Sequence, residues 1–346
     1  MERLDSLSKV ENWQIAPDRR LWSANHEEII NGGTTDIYFV RSQEILNYLD
    51  EADREVTVEI FAARTGIMAG TEEALKLLAD EEDIEIWALP EGAPFEAKEV
   101  VMRIKGPYSQ IGIYETPLLG ILATSAGWAY AAWECREAAG PDKQLVCFGA
   151  RHAHPAVAPV MERAALVGGF DGCSCILGAK LKGLKPTGTV PHAIILIVGD
   201  TLRIAEAYHQ VMPSGDPRII LVDTFKDEAE EALRVARTLQ DDLHGVRLDT
   251  PSERGGVTPG LVKEVRARLD QEGFSHVKIL ASGGMNPERI AELRDTHVEA
   301  FGVGSYIASA KQNDMTMDVK EVEGKPIAKR GRIPGITQKH RLEKMV

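Results

Sequence analysis

The middle of the chain alternates short apolar runs with longer stretches in which apolar residues recur at helical spacing. In Lys226–Leu239, for example, Ala229, Leu233, Ala236 and Leu239 share one face, and charged residues occupy the opposite face. Strands and helices in strict alternation predict parallel strands joined by crossover helices. The predicted strands are Leu145–Arg151, Phe170–Ser174, Gly188–Ile195, Arg218–Thr224, Val246–Thr250, Val277–Gly284 and Ala300–Ile307. The predicted helices between them include Ala156–Val167, Thr201–Val211, Lys226–Leu239, Leu261–Gln271 and Pro287–Arg294.

The number of these units indicates a barrel. About seven strand–helix units favour an incomplete β/α barrel over a doubly wound sheet, although the pattern alone is compatible with both. The predicted fold class is therefore α/β. A long helix rich in small residues, Leu118–Ala139, leads into the barrel.

The pattern before and after the barrel is that of an antiparallel layer. Strands are predicted at Glu55–Phe61, Asp83–Ala88 and Val100–Ile104, and a later hairpin at Met315–Glu321 and Lys325–Lys329 is expected to complete the same layer. The predicted domains are an N-terminal α/β layer (1–115), the barrel (116–308), and a C-terminal hairpin and tail (309–346) that packs on the N-terminal domain.

The charge balance narrows the classes of partner. The chain has 346 residues, with 40 Lys and Arg against 53 Asp and Glu, and a formal net charge of −13. No basic stripe is available to displace counterions from a nucleic acid, so no nucleic-acid partner is expected.

No apolar run approaches the roughly 20 residues of a membrane span, and the first residues lack the apolar core of a signal peptide. Four cysteines without a CxxC pair support no disulfide framework, and we expect a cytoplasmic protein.

Functional groups in a β/α barrel collect where the carboxyl ends of the strands meet. The sixth and seventh predicted strands end in glycine-rich turns, whose exposed N–H groups predict a phosphate cradle. The glycines could instead relieve crowding between strand and helix. The residues of these two turns are Ser282, Gly283, Gly284, Gly302, Gly304 and Ser305.

Two aspartates end neighbouring predicted strands. Asp223 and Asp249 should direct their carboxylates towards the same opening of the barrel. A carboxylate pair there suits ribose hydroxyls or a bound Mg²⁺. Alternatively, each aspartate caps the loop or helix that follows it. Together with a phosphate cradle, the pair predicts a sugar phosphate as ligand.

An ordered set of short motifs resembles one family. FGAR, HPAVAPVMERAA, GGFDG and GTVPHAIILIVGD lie within Phe148–Asp200, TTDIYF occupies Thr34–Phe39, and VRLDT, SGG and FGVGS follow further on. From about Asn25 to Arg332, these motifs are similar to those of nicotinate phosphoribosyltransferases. The resemblance implies a type II phosphoribosyltransferase that joins nicotinate to 5-phosphoribosyl pyrophosphate and releases pyrophosphate. It also implies Mg²⁺ with the pyrophosphate, coupled ATP hydrolysis, and a homo-oligomer whose subunits share active sites.

The resemblance also implies roles for residues that would bind the pyridine. Arg151 would pair with the nicotinate carboxylate, and Phe148 would stack on the ring. Tyr38, supplied by a neighbouring subunit, would be the second stacking ring, and Asp36 would lie near the ring substituent. Asp171 and Ser174 match predicted strand-end positions of the family but could simply form turns. On its own, an aromatic residue such as Phe148 on a barrel strand more often belongs to the core, and Arg151 at a strand end could equally form a structural ion pair.

The remaining implied roles concern the ribosyl donor. His192 matches the family's phosphorylatable histidine, although a histidine on an apolar strand is more often a satisfied core residue. Arg247 would neutralise phosphate, Asp249 would hold ribose hydroxyls, and Asp223 would assist with ribose or Mg²⁺. The two glycine-rich turns match the family's phosphate turns.

Three features leave alternatives open. Quinolinate phosphoribosyltransferases share the fold but require an Arg where this chain has Glu115, whose charge would repel a dicarboxylate. His152 and His154 would suit a metal-dependent barrel hydrolase if later strand ends supplied further ligands. The loop Pro251–Gly256 departs from the family pattern. The tail Lys311–Val346 contains no cysteine, so the structural zinc site of some relatives is not expected.

Overall fold

The computed structural model describes residues 2–338 and 341–346 and divides into two compact units. The first unit is built from the chain up to Tyr130 together with Lys311–Val346, and the second from Ala131–Ala310. The helices are α1 Leu7–Asn12, α2 His26–Ile30, α3 Ile37–Tyr48, α4 Thr71–Leu77, α5 Tyr108–Ile111, α6 Glu115–Ala139, α7 Ala158–Val167, α8 Ile176–Leu181, α9 His192–Val198, α10 Thr201–Val211, α11 Glu228–Leu239, α12 Pro259–Gln271, α13 Pro287–Leu293 and α14 Ser305–Ala308. The strands are β1 Glu55–Ala62, β2 Gly66–Ile67, β3 Glu85–Ala88, β4 Pro94–Phe95, β5 Val100–Pro107, β6 Gln144–Cys147, β7 Gly172–Cys173, β8 Ile219–Leu221, β9 Gly245–Leu248, β10 Lys278–Ala281, β11 Val298–Val303, β12 Met315–Val322, β13 Lys325–Pro326 and β14 Glu343–Lys344.

The first unit contains a six-stranded antiparallel sheet in the order β13-β12-β1-β5-β3-β14. The predicted completion of the N-terminal layer by the C-terminal tail is confirmed, because β12 pairs along β1 from Met315 opposite Ala62 to Val322 opposite Val56. Buried apolar residues of the sheet and of α4 and α6 form one core, among them Ile60, Leu77, Ile86, Met102, Ile104 and Leu118.

A buried carboxylate fastens the tail to this sheet. Glu59 of β1 accepts hydrogen bonds from Arg103 of β5 at 2.7 and 3.0 Å, and from the backbone N–H and hydroxyl of Thr337 at 2.9 and 2.7 Å. The Glu59 side chain is almost completely buried, so these donors replace the water that the charge has lost. The buried Glu59 carboxylate therefore joins strands β1 and β5 to Thr337 of the C-terminal tail.

The second unit contains a six-stranded parallel sheet in the order β7-β6-β11-β10-β9-β8. Its strands are buried apolar runs, including Leu145, Val246 and Ile279, as expected of a parallel sheet covered by helices. Helices that follow the strands begin at capping residues: Asp227 caps α11, and Thr258 caps α12. The edge strands β7 and β8 are not paired with each other, so the predicted incomplete barrel is confirmed.

One predicted strand of the barrel is wrong. Gly188–Ile195 was expected to be the third strand, but residues 184–191 have no regular structure and His192–Val198 forms helix α9. The run of branched apolar residues suggested a strand. Gly188 and Pro191 interrupt that strand, however, and Gly199, at φ 82°, ends the helix in the left-handed conformation. The parallel sheet therefore has six strands among the described residues, not about seven.

In the part of the chain that the structure describes, no helix combines the length and the apolar character needed to cross a bilayer.

Candidate active site

Three predicted site residues meet in the second unit. Asp223 and Asp249 follow the carboxyl ends of β8 and β9, and His192 is the first residue of α9. Nε2 of His192 lies 3.5 Å from Oδ2 of Asp249 and 4.0 Å from Oδ1 of Asp223. Nδ1 of the same ring lies 3.1 Å from the Thr224 hydroxyl. The imidazole is thus placed between two carboxylates on one side and a hydroxyl on the other.

Asp249 is the centre of this group. Its Oδ1 accepts a hydrogen bond of 2.9 Å from the Ser282 hydroxyl, and its Oδ2 lies 3.9 Å from a guanidinium nitrogen of Arg247. Its backbone N–H donates to Oδ2 of Asp223 at 3.1 Å. The Asp249 carboxylate is thus held by the hydroxyl at the end of β10, and its backbone is held by the carboxylate that follows β8.

Phe148 lies beside Arg247 at the end of β6. The guanidinium carbon of Arg247 is 5.9 Å from the centre of the Phe148 ring, within the range of a cation–π contact. A Cβ at Gly302 would overlap the edge of this ring, so only glycine at that position leaves the ring its place. The half-buried ring is therefore positioned by the neighbouring strand β11.

Two buried polar atoms of this group have no hydrogen-bond partner among the described residues. They are Oδ1 of Asp223 and Nε of Arg247. Burial raises the pKa of Asp223, the charge of Asp249 adds to this effect, and His192 opposes it. Burial also lowers the pKa of the Arg247 guanidinium, while the two carboxylates oppose that change. Unpaired buried charge is costly, so the arrangement is suited to a ligand that brings the missing partners.

The predicted phosphate turns have two different structures. Gly283 and Gly284, after β10, adopt the left-handed conformation at φ 83° and 66°, which leaves their backbone open. The Ser282 hydroxyl before them is already engaged by Asp249. After β11, Gly304 allows close approach of the Phe148 carbonyl and the His152 ring, and Ser305 begins α14. Phosphate binding by these turns stays a prediction.

The remaining barrel residues divide between the two ends of the sheet. Arg151 is exposed in a turn after β6, and its charge contributes to the lowered pKa of Arg247. Ser174 follows β7, also at the carboxyl edge. The predicted placing of Asp171 at that edge is wrong. Asp171 precedes the two-residue strand β7 and therefore lies at the opposite end of that strand. There its carboxylate accepts hydrogen bonds from Arg136 at 2.5 Å and from the Leu145 N–H at 2.8 Å.

Tyr38 and Asp36 lie in the first unit and line a cavity of about 320 Å³ together with Glu115, Asp314 and Met315. Asp36 caps α3 by accepting a hydrogen bond from the Tyr38 N–H, and the Tyr38 side chain is half exposed. The cavity thus presents an aromatic ring next to several carboxyl groups. The supply of Tyr38 to a neighbouring subunit stays a prediction.

Glu115 in this cavity should make stability depend on pH. Burial, together with the charge of Asp318 and against that of Lys329, raises the Glu115 pKa from 4.5 to about 7. Its stabilising contribution is therefore complete below pH 4.5 and is lost as pH rises through about 7. Relative to Glu115→Gln, the free energy of unfolding of the wild-type protein is expected to fall by about 1–2 kcal/mol between pH 5 and pH 8. Solvent around the exposed part of Glu115 keeps this change small. Urea unfolding of both proteins at the two pH values measures this difference, and parallel pH curves would contradict it.

Sequence reasoning missed two polar residues of the second unit. Thr224, next to Asp223, holds the His192 ring, and Glu162 of α7 is a fully buried carboxylate that binds both Ser174 and the turn before Arg151. The only available signal for Glu162 was a charged residue on an otherwise apolar helix face. Thr224 offered no such signal.

His152 and His154 are the candidate ligands of the metal-hydrolase alternative. Nδ1 of His154 accepts a hydrogen bond from the Ala156 N–H at 3.2 Å, and the His152 ring lies against Gly304. Within residues 2–338 and 341–346, no group of three or more His, Cys, Asp or Glu side chains is gathered in a way that could hold a metal ion. Further ligands of the kind that such a hydrolase requires are thus not assembled in the described chain.

Comparison with known proteins identifies two matching family models. One, described as quinolinate phosphoribosyl transferase, N-terminal domain, matches residues 36–126. The other, described as the C-terminal domain of the same transferase, matches residues 129–318.

Similar proteins carry two related names. Nicotinate phosphoribosyltransferase pncB2 of Mycobacterium tuberculosis is 30% identical over 240 residues, which cover 66% of this chain and 49% of that protein. This chain thus spans about half the length of the curated relative. A crystal structure of nicotinate-nucleotide pyrophosphorylase from Pyrococcus furiosus is 45% identical with a TM-score of 0.86, covering 92% of this chain and 82% of that chain. Human nicotinic acid phosphoribosyltransferase, at 19% identity and a TM-score of 0.68, covers 87% of this chain and 77% of its own, and shares the fold.

Proposed function

Because the chain belongs to the family of type II phosphoribosyltransferases that the two quinolinate phosphoribosyl transferase domains define, we propose that it is a nicotinate phosphoribosyltransferase. The reaction joins the pyridine nitrogen of nicotinate to C1 of 5-phosphoribosyl pyrophosphate and releases pyrophosphate. The observation that carries the proposal is the meeting of His192, Asp223, Asp249 and Arg247 at the carboxyl edge of the parallel sheet. The product of this reaction would be nicotinate mononucleotide, and a nicotinate nucleotide also appears in the name of the Pyrococcus furiosus relative.

The proposed chemistry requires control of charge. Positive charge develops on the ribosyl ring while the diphosphate leaves as an anion. The Asp249 carboxylate, fixed by Ser282, would bind ribose hydroxyls and face the developing positive charge. Arg247, which lacks a partner at Nε among the described residues, would bind the anionic side of the donor. Phe148 would stack on the pyridine, and the exposed Arg151 would receive its carboxylate.

ATP coupling is the second part of the proposal. Nε2 of His192 would attack the γ-phosphorus of ATP, forming an N–P bond as the P–O bond to ADP breaks. The Thr224 hydroxyl, 3.1 Å from Nδ1, supports this role because it can accept a hydrogen bond from Nδ1–H in the tautomer that leaves the lone pair on Nε2. The phosphorylated ring would then prepare the site for the ribosyl donor.

Magnesium is proposed to enter with the donor. Asp223 and Asp249 would hold the ion together with diphosphate oxygens, and the unpartnered buried Oδ1 of Asp223 fits that role. Two carboxylates plus substrate oxygens are a usual magnesium site, and the ion would neutralise charge on the leaving group.

Nicotinate is preferred to quinolinate in this proposal. If a neighbouring subunit supplies its Tyr38 cavity to the pyridine, as the resemblance implies, a second ring carboxylate would meet the carboxyl groups of Asp36 and Glu115 that line that cavity. Like charges in a partly buried site repel, and Glu115 adds to this repulsion as pH rises through its raised pKa of about 7. The names of the family models keep quinolinate as the second candidate substrate.

The proposal is tested by incubating the purified protein with nicotinate, 5-phosphoribosyl pyrophosphate and Mg²⁺, with and without ATP, and measuring nicotinate mononucleotide. We expect product in both mixtures and more of it with ATP. His192→Ala should abolish the ATP enhancement more than the basal rate. His209→Ala is the matched control, because His209 also faces an aspartate, at 3.8 Å, but on the helix α10.

Two outcomes would contradict the proposal. Release of CO₂ from quinolinate with no product from nicotinate would establish the second candidate. Equal losses of basal and ATP-enhanced rates in His192→Ala would remove the phosphohistidine role. The cytoplasmic location and the homo-oligomer with shared sites stay predictions.

A further inference from the structure

Glu162 occupies an unusual position for a charged residue. It lies in the middle of α7, and its side chain is completely buried. Oε1 accepts hydrogen bonds from the Ala150 N–H at 2.8 Å and from the Ser174 hydroxyl at 3.1 Å, and Oε2 accepts one from the Cys175 N–H. These donors replace the hydrogen bonds to water that the buried carboxylate has lost.

The donors belong to two separate loops at the carboxyl edge of the sheet. Ala150 immediately precedes Arg151 in the turn after β6, and Ser174 and Cys175 follow β7. Strand β7 is an edge strand of only two residues, and after it the Ser174 N–H donates a hydrogen bond of 2.9 Å to the Cys147 carbonyl oxygen of β6. Glu162 adds to this backbone bond a side-chain link that joins the Ala150 N–H of one loop to the Ser174 hydroxyl and Cys175 N–H of the other.

The surroundings of Glu162 exclude water. Helix α8 approaches α7 so closely that a Cβ at Gly178 would lie 3.3 Å from Cβ of Glu162 and 3.1 Å from the Pro159 carbonyl oxygen. The Cys173 thiol is on the same side, where burial first and the Glu162 charge second raise its pKa to about 12. Hydrogen bonds to a carboxylate are strong in such a dry environment, so the two loops have little freedom.

We infer that Glu162 is a positioning residue of the pyridine site, whose buried carboxylate joins the loop that carries Arg151 to the loop that carries Ser174. The inference rests on the proposed function, since it assigns Arg151 to the nicotinate carboxylate. Glu162 acts through Arg151 and does not contact the substrate. Its loss should weaken the capture of nicotinate more than it slows the chemical step.

A double-mutant cycle tests this inference. The variants are Glu162→Gln, Arg151→Ala and the combination of both, each assayed for KM of nicotinate and for kcat. The amide presents an NH₂ group to one of the donors, so Glu162→Gln is expected to raise KM by about tenfold and to change kcat by less than about threefold. In the Arg151→Ala protein, the same change should raise KM by less than about twofold, because its effect acts through the missing cation.

Glu231→Gln is the matched control. Glu231 is also a completely buried glutamate of the second unit, but it binds Arg234 on its own helix α11. This variant should lower the midpoint of thermal unfolding and leave KM of nicotinate unchanged. A purely structural role of Glu162 would give the same result for both glutamates.

The outcomes separate the inference from the proposed function. An equal KM increase by Glu162→Gln in both backgrounds, or an unchanged KM in the folded variant, would overturn the inference. If Glu162→Gln does not fold, Glu162→Asp, which keeps the charge but shortens the reach, replaces it in the same cycle under the same criteria. A wild-type protein that forms no product from nicotinate would overturn the proposed function instead, and the cycle would then be measured with quinolinate, whose ring carboxylate Arg151 would receive in the same way.

Discussion

Replacing Asp249 by asparagine is expected to lower kcat for mononucleotide formation by on the order of 10²–10³. The amide keeps the shape of the side chain but removes the negative charge that faces His192 and Arg247 at 3.5 and 3.9 Å. That charge would stabilise the ribosyl cation in the transition state, so its loss should affect kcat more than KM for nicotinate. Steady-state kinetics with saturating phosphoribosyl pyrophosphate measures the change.

Asp242→Asn is the matched control for this substitution. Asp242 also faces a histidine, with Oδ2 at 3.8 Å from Nε2 of His209, but it is exposed and precedes β9 instead of following it. We expect its kcat to stay within about twofold of the wild-type value, since surface ion pairs contribute little. A wild-type kcat in Asp249→Asn, or equal losses in both variants, would remove Asp249 from the proposed chemistry.

The largest expected effect on stability is that of Glu59→Ala in the first unit. Removing this carboxylate leaves the Arg103 guanidinium and the Thr337 backbone without their buried partner. Breaking a buried ion pair on one side typically costs about 3–5 kcal/mol in the free energy of unfolding. Urea unfolding followed by tryptophan fluorescence measures the loss, because Trp87 lies on β3 of the same sheet.

Glu55→Ala provides the comparison on the same strand. Glu55 of β1 pairs with Lys105 of β5 at 3.3 Å, and both side chains are exposed. This variant should lose less than about 1 kcal/mol, since water replaces the lost partner. Similar losses for Glu55→Ala and Glu59→Ala would mean that burial does not decide the contribution of these two charges.

The sequence was most informative where periodicity and capping agree. Helix α10 has the predicted bounds Thr201–Val211, with Asp200 as its cap, and the predicted Lys226–Leu239 differs from α11 by two residues at its start. The tail strand β12 was also predictable, because an alternating run after the barrel has no place in a parallel sheet. In each case, local spacing and local chemistry determine the element.

Predictions were wrong where the tertiary structure decides. The run at His192–Val198 favours a strand by composition, yet it forms a helix between Pro191 and Gly199. Asp171 has the residue type of a strand-end ligand, but the strand begins one residue later and Arg136 binds the carboxylate. The partners of Glu162 lie 12 and 13 residues away along the chain, so no local pattern could reveal them.

The antiparallel sheet of the first unit has an implication for how the protein is made. Its strands β1, β3 and β5 precede the parallel sheet in the chain, but their neighbours β12, β13 and β14 follow it. The parallel sheet, in contrast, is encoded by one uninterrupted stretch of the chain. During translation, the parallel sheet can therefore close before the antiparallel one, and the earlier strands of the first unit keep a free edge until β12 has been synthesised.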